Sequence, residues 1–565
     1  MKRVVPPILV LLLSLVVVLP LFHTGFFPMH DDTQPTRVYE MAQSLRDGMF
    51  PVRWVKDMGF GYGYPIFNFY GPLPYYLGAK YVLMGINVLT ATKIMMALPA
   101  VIGGLGMYFL VSSFLGIEAG IASATIYLFF PYFAVNMYVR GAVGEYFAYG
   151  FLPYILWGIL KLYYLSKTHS ILELRKWILL ASVSTTLLII SHNLSAFMLI
   201  FLLFFILILS FAAHPQKKRL FGVYFAVFLV AFLLSGFYAL PALLEMGFTN
   251  VRSQVGGGAD FHNHFVCLSQ LWTSPWGFGG SAPGCLDGLS FELGKNTIFF
   301  SVLGILIFLV LRFRRGRREM RFLFLSSLLL GTLSLFMTTG YSLIIWNNLP
   351  FIAFLQYPWR FLEFAGISLA ILSGFLIFGA QRLLPRYTGI IVLMFLVVTT
   401  LFLNAKHFRP QFYEARTAGF YTRYSRVSYD ISKISHEYMP QHFAIPKNAS
   451  EVPKQIVSPV RNITTVTIHK QKTGMISADI TGKQNGLVLL NLAYFPAWHV
   501  TIDGKDAGFE KTNRGLLVQV PQGRHTLTAR FRQTPVEMIA DALSLSGVAL
   551  IIAGIIYPLW KKQKK

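Results

Sequence analysis

The chain has 565 residues, 55% of them hydrophobic and 13% charged, with a mean hydropathy of +0.56. These proportions exclude a water-soluble globular protein and point to helices in lipid, where the 51 Phe and 28 Tyr supply packing and interfacial rings. The net charge of +25 would suit nucleic acid, but its carriers lie in short clusters between apolar runs, at 217–219, 312–318 and 561–565. Such clusters mark the cytoplasmic loops of membrane proteins, so no nucleic-acid partner is expected.

Met1-Lys2-Arg3 precedes an apolar run over 4–22 in the manner of a signal peptide; no small-residue cleavage site follows, and the run reads as an uncleaved first span. Runs of about 20 apolar residues, enough to cross a bilayer, fall at 4–27, 73–89, 93–115, 119–139, 145–165, 177–191, 194–213, 220–243, 297–313, 321–339, 361–380, 387–404 and 538–560. That number is odd, whereas basic clusters place both termini in the cytoplasm and require an even one. The run 73–89 carries Pro74, Gly78 and Lys80, so it reads as an interfacial or re-entrant helix, which leaves about twelve spans, with about fourteen as the alternative.

Segments 28–72, 140–145, 245–296, 340–360 and 406–537 then lie outside. The two cysteines, Cys267 and Cys285, share the 245–296 loop, where an oxidising compartment favours a disulfide over two buried thiols. Period-two alternation over 464–469, 475–480, 487–492, 499–502, 516–520 and 526–531, with turns at Asp503-Gly504 and Gln522-Gly523, predicts a small antiparallel β-sandwich. The expected organisation is a polytopic α-helical protein of the cytoplasmic membrane: a multi-span domain over 1–405, an extracytoplasmic β-rich domain over 406–537, and a last helix with a basic tail over 538–565. No phosphate-binding Walker loop, Rossmann fingerprint, CxxC or HExxH motif occurs, which argues against ATP-driven transport by this chain alone.

Several polar residues stand where they can carry chemistry. Directly after the first span, Asp31 and Asp32 repel each other in a partly desolvated place, which raises the proton affinity of at least one and suits a general base. The alternative is a solvated turn in which Asp32 or Thr33 caps the next helix. The aromatic stretch that follows, with Tyr64 and Tyr70, either stacks on sugar rings or forms an interfacial belt. Ser191-His192-Asn193 interrupts an apolar stretch, as a tight outer turn or an intramembrane polar site. Arg140 and Glu145 share one outer turn and can pair. Arg360 stands at an outer helix mouth, either to hold a phosphate by its fork or to pair with Glu363. Asp260, His262 and His264 have metal-ligand identities without a ligand spacing.

Taken in order, His30-Asp31-Asp32, the aromatic segment ending in Gly71-Pro72-Leu73-Pro74-Tyr75-Tyr76, Tyr138-Val139-Arg140-Gly141-Ala142, Ser191-His192-Asn193, Gln356-Tyr357-Pro358-Trp359-Arg360-Phe361 and Tyr494-Phe495-Pro496-Ala497-Trp498 with Asp503-Gly504-Lys505 resemble the GT-C class of membrane glycosyltransferases. More narrowly, the chain resembles the bacterial membrane family labelled 6-pyruvoyl-tetrahydropterin-synthase-related, which is similar to YfhO-like proteins. The label is not an activity: a soluble pterin synthase uses a histidine zinc site in a small α/β fold, and this chain supplies neither. The GT-C resemblance implies an inverting transfer of a sugar from a polyprenyl-phosphate-linked donor to an extracytoplasmic glycan or lipid acceptor. By position, Asp31 or Asp32 would be the base and Arg360 and Arg140 the phosphate holders, with His192, Asn193, Glu145, Tyr64 and Tyr70 lining the substrate. Some members of the class use a divalent cation, but no ligand set is recognisable here and no other cofactor is implied. Two other readings compete: a transporter or flippase for lipid-linked glycans, whose charges would line a pathway, and a non-catalytic envelope assembly protein.

Overall fold

The computed structural model describes residues 5–311 and 318–563; Met1-Lys2-Arg3, all but Arg318 of the 312–318 cluster, and Lys564 and Lys565 lie outside the described residues. Among the described residues fourteen long helices carry the chain: α1 (Val5–Val18), α2 (Gln34–Arg46), α3 (Leu73–Leu83), α4 (Val88–Leu115), α5 (Ile117–Leu128), α6 (Val143–Leu165), α7 (Ile171–Ile189), α8 (Asn193–Ala213), α9 (Lys217–Leu244), α10 (Lys295–Val310), α11 (Arg318–Thr338), α12 (Leu362–Leu383), α13 (Arg386–Asn404) and α14 (Pro535–Gln563). Among the described residues eight helices are long and apolar enough to cross a membrane, or nine if α5 and the segment Pro131–Arg140, bent by 46° from it, make one span. The chain is therefore a multi-pass membrane protein. The 11 residues of α3 rise only about 16 Å, half of what a bilayer core needs, so this helix is too short to cross by itself.

The helices approach closely where glycine removes the side chain. A Cβ on Gly304 of α10 would fall 2.0 Å from the Leu372 carbonyl oxygen of α12, and one on Gly379 of α12 would fall 1.9 Å from Ile307; small residues at such crossings replace the hydrophobic drive that lipid lacks. α12 is buried along its whole apolar window and forms the centre of the bundle, whereas α1 and α14 are mostly lipid-facing. The last helix, α14, is fastened to α9: the Ser544 hydroxyl accepts from the Phe237 N–H (2.8 Å) and donates to the Leu233 carbonyl (3.0 Å).

The C-terminal strands are β1 (Val457–Lys472), β2 (Met475–Leu490), β3 (Trp498–Ile502), β4 (Lys505–Asp506), β5 (Phe509–Thr512), β6 (Gly515–Val520) and β7 (Gly523–Phe531). They form one antiparallel sheet, not the two stacked sheets of a sandwich. The two runs expected at 475–480 and 487–492 are one long strand: β2 pairs β7 through residues 475–482 and β6 through 486–490, with β1 along its other edge. The sheet forks between Gly482 and Gly486, which is why alternation lapses there. The turn at Asp503-Gly504 is as expected, with both residues at positive φ (50° and 78°), the backbone a tight two-residue hairpin requires.

Between α13 and β1 the chain returns to its own beginning. Glu414 forms a bridge with Phe26, the Thr36 hydroxyl donates to the Tyr421 carbonyl (2.8 Å), and Tyr413 donates to the Pro20 carbonyl (2.8 Å). The sheet and the returning segment cover the aromatic stretch: Trp54 packs edge-on against Trp498 of β3 (5.5 Å), and Tyr62 against Phe443 of the returning segment (4.9 Å). Most of those rings are buried in protein, so the stretch is the core of an inter-segment junction and not an interfacial belt. Cys267 and Cys285 are disulfide-bonded across 18 residues, as expected.

Candidate active site

Four helix ends meet around one carboxylate. Residues Val135–Arg140 form a π-turn, whose extra residue per turn is common at functional sites. It stops at Gly141, which has a φ of 66° and leaves no room for a Cβ, since Met29 Sδ would lie 2.1 Å away. α6 starts at once and carries Glu145 in its first turn. The Ser191-His192-Asn193 segment is the turn between α7 and α8; His192 accepts from the Ser195 N–H (3.2 Å) and caps α8. Arg360 lies in the short turn Pro358–Phe361 that leads into α12, whose first turn holds Glu363. The N-termini of α6, α8 and α12 thus point their partial positive charge at one place.

Glu145 Oε2 accepts from Arg140 Nη1 (2.8 Å) and lies 3.6 Å from Arg360 Nε. Its Oε1 accepts from the Tyr132 hydroxyl and, at 3.2 Å, from Asn136 Nδ2. Arg140 also bonds the Asn136 oxygen and stacks 4.4 Å over the Trp359 ring. Glu363 accepts from Ser195 Oγ (2.8 Å), which His192 Nδ1 also touches at 2.8 Å. Arg140 therefore does pair with Glu145, but Arg360 leans on Glu145 and not on Glu363. Asn193 is exposed and stays out of the cluster.

The acidic pair is split. Neither Asp32 nor Thr33 caps α2 with its side chain. Asp32 turns to the returning chain, where Arg416 donates to Oδ2 and the Tyr421 hydroxyl to Oδ1 (2.7 Å); Glu414 takes Arg416 Nε at 2.5 Å. Burial pushes the Asp32 carboxyl up from its ordinary value, and the bonds from Tyr421 and Arg416 pull it back. Asp31 has its backbone N–H on the Arg140 carbonyl (2.9 Å), and among the described residues its carboxylate has no hydrogen bond or ion pair. It is within electrostatic reach of Arg140, Tyr70 and Glu437. Glu437 comes from the returning segment, and burial raises its carboxyl above the ordinary value, with the Asp31 charge adding and Arg37 opposing.

Tyr70 is half-buried, with the Arg37 guanidinium 4.2 Å from its ring. Tyr64 is fully buried and hydrogen-bonded to Ser435 at 3.0 Å, so it supports the site from behind. Gly71 lets this loop reach the α7–α8 turn: a Cβ there would sit 1.9 Å from the Ser191 oxygen. Among the described residues no three His, Cys, Asp or Glu are grouped to hold a metal ion. Asp260 pairs with His262 (2.7 Å), and His264 bonds Ser281 (2.9 Å), each within the 245–296 loop.

Residues 67–257 match the model of a membrane-protein family described as "6-pyruvoyl-tetrahydropterin synthase related domain". In that stretch His169, His192 and His214 each lie beside a hydroxyl: Thr168 (2.9 Å), Ser195 (2.8 Å) and Ser166 (3.2 Å). A comparison with curated proteins finds no match. Among solved structures, the chain is similar to the Archaeoglobus fulgidus oligosaccharyltransferase complexed with zinc and sulfate, at 15% identity and a TM-score of 0.49, over 80% of this chain and 58% of that one. It is also similar to ArnT from Cupriavidus metallidurans bound to undecaprenyl phosphate, at 12% identity and a TM-score of 0.39, over 76% and 77% of the two chains. This chain spans little more than half the length of the oligosaccharyltransferase, 58%.

Sequence reasoning missed Arg416, Tyr421, Glu437 and Arg37. The first three sit in a stretch without periodicity, and Arg37 reads as one more polar residue of an amphipathic helix.

Proposed function

We propose that the chain is an inverting glycosyltransferase that takes a sugar from a polyprenyl-phosphate-linked donor and passes it to an extracytoplasmic acceptor. In this reading about twelve spans cross the cytoplasmic membrane: the nine above with α6, α7 and the shorter α10, both termini inside and the sheet outside. The observation that carries it is the division of the acidic pair. Asp32 is consumed by Arg416 and Tyr421, while Asp31 is left unpaired beside Arg140 at the mouth of the bundle.

The Asp31 carboxylate takes the proton of the acceptor hydroxyl as its oxygen attacks the anomeric carbon. The bond from that carbon to the lipid phosphate breaks, and its electron pair stays on the phosphate oxygen. That charge develops near two guanidiniums, Arg140 and Arg360, and three helix N-termini, a fixed positive environment of the kind that stabilises a leaving phosphate. Glu145 holds both guanidiniums in register. Among the described residues no three His, Cys, Asp or Glu are grouped for a divalent cation, and no step is assigned to one.

The test is transfer of radiolabelled sugar from a panel of polyprenyl-phosphate donors in membranes carrying wild type or Asp31→Asn. Loss of a positioned base is expected to cost about 10²-fold or more in rate. Absence of transfer from every donor, together with an unchanged cellular phenotype for Asp31→Asn, would sink the proposal.

A further inference from the structure

Arg37 is a buried cation without a counter-ion. The residue is 3% exposed, and among the described residues no carboxylate lies within ion-pair distance of it. Its Nε has no hydrogen-bond partner, and among the described residues its side chain meets only neutral hydroxyls: that of Tyr75, through a long bond from Nη1 at 3.4 Å, and that of Tyr70. That hydroxyl gives its own proton to Gln34 Oε1 (2.6 Å), and Gln34 in turn donates to the Gly141 carbonyl (2.8 Å), next to Arg140. The rings around the guanidinium do not supply the missing charge: burial pushes the phenols of Tyr64, Tyr70 and Tyr438 above their ordinary value, so they are neutral. Glu437 feels the Arg37 charge, but among the described residues no ion pair joins the two.

A desolvated guanidinium with a free Nε is costly to bury unless something pairs with it. Its planar fork matches a carboxylate or a phosphate through two parallel bonds, and Tyr70 offers a ring face beside it of the kind that stacks on sugars. The place also separates this seat from the lipid. Arg140 and Arg360 lie at span ends, where a lipid phosphate comes to rest, whereas Arg37 lies on the polar helix α2 beneath the returning segment, which places Tyr438 beside it.

We propose that Arg37, with Tyr70, is a seat for an anionic group carried by the saccharide, so that the sugar or acceptor handled here is an acidic one bearing a carboxylate or a phosphate. That the ligand is a saccharide rests on the glycosyltransferase reading; the seat itself does not.

The test uses the full-length protein in lipid nanodiscs and calorimetric titration with glucuronate, glucose 6-phosphate, neutral glucose and decaprenyl phosphate. Either acidic sugar is expected to bind at least about tenfold more tightly than glucose, as charge-assisted bonds do, and Arg37→Gln is expected to erase that preference while decaprenyl phosphate still binds. Which acidic sugar responds identifies the group. Arg37→Lys, which keeps the charge and loses the fork, should weaken the preference in part, and it decides the matter if Arg37→Gln does not fold. Equal binding of acidic and neutral sugars overturns the seat, as does a preference that survives Arg37→Gln. Loss of decaprenyl phosphate binding alone in Arg37→Gln also overturns it, because the cation would then serve the lipid. Asp31→Asn should keep the preference. A preference in a wild type that transfers no sugar would remove the glycosyltransferase reading and leave the seat, and transfer without a preference would remove the seat alone.

Discussion

Asp31 and Asp32 are neighbours with opposite fates, and adjacency in sequence hid the difference. The pair and its place after the first span are legible in the chain. Its division is not, because the groups that engage Asp32 lie 384 and 389 residues away. Asp32→Asn is expected to weaken the fold by about 1 to 2 kcal/mol, the worth of a charged hydrogen bond that is partly open to solvent, read as a fall in thermal midpoint. Transfer per folded molecule should stay far above that of Asp31→Asn. If Asp32→Asn abolishes transfer at unchanged stability, the roles of the two are reversed. Arg360 teaches the same lesson: its helix-spaced neighbour Glu363 is the obvious partner, yet Glu145 from another helix takes that place.

At the level of elements, apolar runs reveal most of the helices because lipid demands about 20 such residues. They do not reveal where a helix breaks, as at Phe130-Pro131, or that two short strands are one. The junction of α9 and α14 is a case where element ends carry charge. Glu245, just past α9, accepts from the Thr534 hydroxyl ahead of α14, and Arg53 from the first loop binds Asp541 at 2.6 Å. Burial, with the charge of Glu537 adding, pushes the Glu245 carboxyl up to about 7, against the Thr534 bond and Arg53. Between its ordinary value and about 7 the folded chain holds a proton that the unfolded chain has released, so rising pH through that window destabilises the junction, fully above it and not at all below. Raising the pH from about 5 to about 8 should therefore speed deuterium uptake in the first turns of α14, after correction for intrinsic exchange, and Glu245→Gln should remove most of the effect. An identical pH slope in that variant would show that another group governs it.

For the whole molecule, the membrane bundle and the sheet are not separate bodies joined by a tether. The aromatic segment that the sequence offers as a sugar platform or a belt is covered by both the returning segment and the sheet, which only the three-dimensional return of the chain could show. A chain ending after Asn404 should still insert, since it keeps all spans but the last. It should lose transfer, and limited proteolysis should cut it near Lys56 where the full chain resists. Equal resistance would mean that the loop folds without its cover.

The clasp between Asp32 and Arg416 also sets an order of events in time. Ribosomes add about 5 to 20 residues per second, so the 384 residues between the two take roughly 20 to 80 seconds to make. During that interval the first loop stands finished but uncovered, with Asp31 in place and the partners of Asp32 still missing. If the proposed function holds, a chain stalled before residue 416 would be inert towards the glycans around it, and competence would arrive only after that residue is made.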